Sequence, residues 1–76
     1  MRNVDTKILK KAMIDADIES LLELEKVTGV NRNTLSSIFR GDQKPSYDTM
    51  AVLADVLHLT YKEIGRIFFG LDLTQT

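Results

Sequence analysis

Apolar residues return along this chain at three- and four-residue intervals, in five groups separated by polar or glycine-bearing joints. That spacing lines up side chains on one face of an α-helix, so each group predicts a helix. Ile8, Leu9, Ala12, Met13 and Ala16 share the first face, on a helix capped by Asp5 or Thr6 and ending near Ala16, with Asp15 to Ile18 as the connection. Ser20 caps the second helix, Glu23 completes a Ser-x-x-Glu capping box, and Leu21 and Leu24 turn inward. Leu35, Ile38 and Phe39 form the third group, behind Asn31 as cap. Gly41 to Pro45 is a loop, and Ser46 caps a fourth helix whose Met50, Leu53, Ala54 and Leu57 fill the middle of the core. Thr60 and Glu63 stand as a capping box for a fifth helix carrying Tyr61, Ile64, Ile67 and Phe68 on its apolar side. The single histidine, His58, lies at the C-terminal end of the fourth helix and takes a cap or surface role there.

The joint Thr28-Gly29-Val30 organises the rest. Gly29 can adopt the left-handed conformation that ends one helix while Asn31 starts the next, and so tight a turn holds two helices at a steep angle. With Arg32 set at zero and a step of about 100° per residue, Leu35, Ile38 and Phe39 fall between roughly 240° and 340°. Arg32, Asn33, Ser36, Ser37 and Arg40 occupy the arc from about 0° to 140°, with Thr34 between the two. The outward arc thus holds hydrogen-bonding groups and two guanidinium ions but no carboxylate. Such a face suits an acidic partner rich in donors and acceptors.

The stretch resembles the helix-turn-helix of the Cro/repressor (XRE-type) family. Leu24, Lys26, Thr28, Gly29, Val30, Arg32, Thr34, Leu35, Ser36, Ile38 and Gly41 stand where that pattern expects them. The likeness continues through Lys44-Pro45-Ser46 and TMAVLADVLHLTYKEI, covering residues 6 to 68. It implies an all-α, compact five-helix, lambda-repressor-like DNA-binding domain, with the helix-turn-helix as helices two and three and residues 1–76 as one domain. By the same resemblance, the recognition helix, residues 31–40, enters the major groove, where each base pair shows a distinct pattern. Arg32, Asn33 and Ser37 would then contact bases, while Asn31, Thr34, Ser36, Arg40, Gln43 and Lys44 would contact the DNA backbone. Arg32 suits guanine O6 and N7, and Asn33 suits adenine. Two positions depart from the pattern. Leu21 stands where the family often places a phosphate-binding glutamine, and Glu25 where it usually places alanine, so Glu25 is expected to reach out to solvent along its stem.

Composition narrows the remaining choices. Seventy-six residues make one small core, and 43% apolar with 28% charged residues favour a folded chain over disorder. No apolar run is long enough for a membrane span, and MRNVDTKILKK lacks the hydrophobic stretch of a secretory signal, so a cytoplasmic location is expected. The absence of cysteine excludes disulfides and thiolate metal sites. One histidine, no glycine-rich phosphate loop and no framed carboxylate pair give no reason to expect an enzyme, a metal or a cofactor.

A net charge of −1 argues against nucleic acid, but its distribution is uneven. Residues 1 to 13 carry four basic groups against one acidic, residues 14 to 29 one against five, residues 31 to 47 three against one, and residues 48 to 76 two against four. The positive segments are the first helix and the recognition region, where phosphates would lie.

Ile67, Phe68, Phe69, Leu71 and Leu73 present more apolar surface than five short helices need, which predicts a homodimer through a tail spanning residues 67–76. A dimer of this family presents two recognition helices to a near-palindromic double-stranded operator, as the short Cro-like regulators of phages do. The acidic second helix, the missing phosphate clamp and the apolar tail also fit an alternative. A small protein-binding module on the same scaffold, such as a phage antirepressor or an antitoxin, would share them.

Overall fold

The computed structural model describes residues 4–71, which form five helices and, among those residues, no strand. They are α1 (Thr6–Asp15), α2 (Leu21–Thr28), α3 (Arg32–Arg40), α4 (Tyr47–Val56) and α5 (Tyr61–Phe69). Each starts at a residue whose side-chain oxygen accepts an otherwise orphaned backbone N–H: Asp5 from Ile8, Ser20 from Glu23, Asn31 from Asn33, Ser46 from Thr49 and Thr60 from Glu63. At α5 the box closes, because the Glu63 carboxylate accepts the Thr60 N–H at 2.9 Å. At α2 the expected box is only half made: Ser20 caps, and Glu23 returns no bond. Ser20 is exposed, so water can satisfy its N–H and a return bond would add little.

The third helix is central, packing on α1 and α2, while α5 lies against α1 and α4 against α2. Leu9, Leu24, Leu35, Ile38 and Leu53 are fully buried where these helices meet. Two core residues come from outside the helical pattern. Val4 is buried beside the start of α1, where the Asp5 N–H donates to the Ile67 carbonyl at 2.8 Å and ties the beginning of the described chain to α5. Ile18 is swung inward by Asp17, which takes φ 61° and lets the Ile18 N–H close back onto the Met13 carbonyl. His58 acts in the same way after α4: it is exposed, has φ 54°, and is followed by a Leu59 N–H bond to the Ala54 carbonyl.

The tail corrects one expectation. Ile67 and Phe68 are 1% and 2% exposed inside the chain's own core, so neither is surface available to a second copy. Phe69 and Leu71 remain about half exposed, and Leu73 lies outside the described residues. Other apolar side chains are exposed, Ile14 on α1 and Leu22 and Val27 on α2, and on α4 and α5 Tyr47 and Tyr61 are 80% and 89% exposed. Together with Phe69 they flank a hollow of about 250 Å³ floored by Met50, Ala54 and Ile64.

Candidate nucleic-acid interface

The turn between α2 and α3 is built from local bonds. Thr28 Oγ1 donates to the Leu24 carbonyl at 2.7 Å and accepts the Val30 N–H at 3.1 Å, while Gly29 at φ 76° sends its N–H to the Glu25 carbonyl. A Cβ at Gly29 would meet nothing, so the demand for glycine there comes from backbone conformation, not space. Val30 packs against the core, and Asn31 Oδ1 then accepts the Asn33 N–H at 2.7 Å to open α3.

Along α3 the two faces separate as the periodicity requires. Leu35, Ile38 and Phe39 are buried, and Asn31, Arg32, Asn33 and Arg40 are exposed. Thr34, Ser36 and Ser37 are half-buried on its flanks. The helix ends at Gly41, φ 81°, where the Gly41 and Asp42 N–H groups return to the Ile38 and Ser37 carbonyls. Gln43 and Lys44 follow in an exposed loop before the buried Pro45.

Of the residues the sequence singles out, Asn31, Arg32, Asn33, Ser36, Ser37 and Arg40 thus lie on or beside one ridge, with Thr34 at its edge. Lys44 holds its ammonium 4.3 Å from the centre of the Phe69 ring, which ties the loop to the end of α5. Lys11, on α1, is engaged with Asp15 at 3.0 Å on the solvent side of its own helix.

Two carboxylates border the ridge, and neither follows from the face of α3 alone. Arg40 donates from Nε to Asp42 at 2.9 Å and from Nη1 to Ser36 Oγ at 3.0 Å, so its guanidinium is held along the helix end. At the other end, Glu25 Oε2 accepts the backbone N–H of Arg32 at 2.8 Å. This corrects the expectation that Glu25 reaches into solvent. The side chain is half-buried and folds across the joint, because the α3 N-terminus offers an unpaired donor and the positive end of a helix dipole. Asp42 is legible from its place two residues after Arg40. The Glu25 bond depends on the angle between two helices, which no local pattern encodes.

Among the described residues no helix is long and apolar enough to cross a membrane. A family model described as "Helix-turn-helix" matches residues 20–64, which take in α2, α3, α4 and the start of α5. Comparison with curated proteins and with solved structures gives no match.

Proposed function

The chain belongs to the XRE-type helix-turn-helix family of DNA-binding regulators, and from that premise we propose that it binds double-stranded DNA sequence-specifically as a Cro/repressor-like transcriptional regulator. Residues 31–40 lie in the major groove. The observation that carries this is the ridge on α3. Its guanidinium and amide groups stand exposed while Leu35, Ile38 and Phe39 lock the helix from behind, so the outer groups meet a partner on a rigid support.

Arg32, Asn33 and Ser37 read base edges, Arg32 favouring guanine and Asn33 adenine. Asn31, Thr34, Ser36 and Arg40, with Gln43 and Lys44 from the loop, hold phosphates and sugars and set the register. The chain acts as a cytoplasmic homodimer on a near-palindromic operator, spacing two α3 helices by about 34 Å. The exposed Phe69 and Leu71, with the apolar hollow beside Tyr47 and Tyr61, support pairing on the α4 and α5 side. It is a binding protein and not an enzyme.

Selection of binding sites from a random duplex library tests this. A recovered palindrome whose half-sites hold a guanine protected by Arg32 is the expected result; a pool without enrichment over many rounds would overturn it. The same apolar hollow, with its two exposed tyrosines, favours a second reading, a protein-binding module of the antirepressor or antitoxin kind. An unenriched pool together with a stoichiometric protein partner recovered from host lysate would point there.

A further inference from the structure

The start of the recognition helix is already occupied by the chain's own acceptors. Asn31 Oδ1 takes the Asn33 N–H at 2.7 Å, and Glu25 Oε2 takes the Arg32 N–H at 2.8 Å across seven residues of sequence. A helix N-terminus attracts anions through its unpaired N–H groups and its dipole. Here a formal negative charge sits in that place, beside Arg32 and Asn33, two of the three residues assigned to base reading.

The bond also has a mechanical side. Glu25 belongs to α2 and Arg32 opens α3, so the carboxylate links the two helices of the motif directly, in addition to the Thr28 and Gly29 bonds of the turn. Residues 31 to 47 hold Arg32, Arg40 and Lys44 against Asp42, a sum of +2; with Glu25 seated at their edge the local sum falls to +1. One side chain therefore subtracts a unit of positive charge at the edge of the contact region while bonding the two helices together.

We propose that Glu25 is a positioning and affinity-setting residue: it docks α3 on α2 and, by its charge, holds down attraction to the phosphate backbone without taking part in base choice. The inference rests on the DNA-binding reading and deepens it. Electrostatic attraction to phosphates is independent of sequence, so a carboxylate at the contact face subtracts from all sites about equally and leaves base discrimination to Arg32, Asn33 and Ser37.

Glu25→Gln separates charge from geometry, since the amide oxygen can still accept the Arg32 N–H. Affinities of the parent chain and E25Q are measured for a selected duplex, its single-base variants and a scrambled duplex, over a range of salt. Alongside, melting and hydrogen exchange of the Arg32 amide are followed in the parent, E25Q and Glu25→Ala. E25Q should tighten binding to every duplex by a common factor of roughly three- to tenfold at low salt, the gain shrinking as salt screens it. The ranking of base variants should stay fixed. Exchange at Arg32 should quicken in E25A more than in E25Q.

Unchanged low-salt affinity in E25Q, a reordered base ranking, or equal exchange in all three proteins would each overturn the assignment while leaving DNA binding by the parent intact. If neither parent nor E25Q retains any duplex, the DNA-binding reading falls, and this inference with it.

Discussion

Replacing Arg32 by alanine tests the proposed base reading apart from everything else the third helix does. Arg32 is exposed, its side chain has no hydrogen-bond or ion-pair partner among the described residues, and its backbone N–H is taken by Glu25. Truncation therefore leaves the fold alone, and a shift within about 0.5 kcal/mol of the parent's stability is expected. A cation in the first helical turn also opposes the dipole by about 0.3–1 kcal/mol, so the small change leans toward stabilisation. A guanidinium fork on guanine O6 and N7 is worth about 1–3 kcal/mol of discrimination against a wrong base. At about 1.4 kcal/mol per tenfold, that is roughly five- to 150-fold in relative affinity at one position of each half-site. Fluorescence anisotropy with the selected duplex and its single-base variants, with a thermal melt in parallel, reads both quantities. In R32A the variants at that position should converge while differences elsewhere persist. If every duplex weakened by the same factor, Arg32 would be a phosphate contact and the placement of α3 in the groove would be wrong; a large drop in melting temperature would mean a structural role that its exposure denies.

Other perturbations address separate parts of the molecule. Leu35→Ala empties a fully buried site on the opposite side of the same helix and should cost about 3–5 kcal/mol in denaturant unfolding, a large share of what so small a domain holds. Lys44→Ala should weaken all duplexes alike and reduce the salt slope by about one, since a phosphate contact carries no sequence information; its loss from the Phe69 ring should cost under about 1 kcal/mol of stability. His58→Gly should raise stability by about 0.5–1 kcal/mol, because the left-handed conformation strains a side chain there and the glycine's extra freedom in the unfolded chain offsets only part of the relief. A calorimetric melt would show a rise of a few degrees, and a fall would mean that the exposed imidazole makes a contact that matters.

Helix starts were legible in the sequence because capping is a three-residue chemistry: Asp5, Ser20, Asn31, Ser46 and Thr60 each bond a donor two or three positions ahead. The faces of α3 were legible because 100° per residue fixes them once the helix exists. Ile67 and Phe68 show where two readings of the same residues compete. Their spacing from Ile64 places them on the inner side of α5, while their bulk suggests excess surface, and the helical period prevailed. Val4 and Ile18 belong to no helical period, so their burial waits on the Asp5 to Ile67 bond and on the left-handed Asp17. The likeness to a family is what leads us to propose the ridge as a DNA-reading surface, whereas periodicity alone assigns it only to some acidic partner.

The bond from Asp5 to Ile67 sets an order of events during translation. The ribosome delivers the N-terminal residues first, yet Val4 and the first helix gain their closing neighbour only when residue 67 has left the exit tunnel. A nascent chain halted after the fourth helix already displays every side chain of the reading ridge, but on a body missing its last wall. Until residue 67 emerges, the α3 ridge stands on a domain that its own last helix has not yet closed.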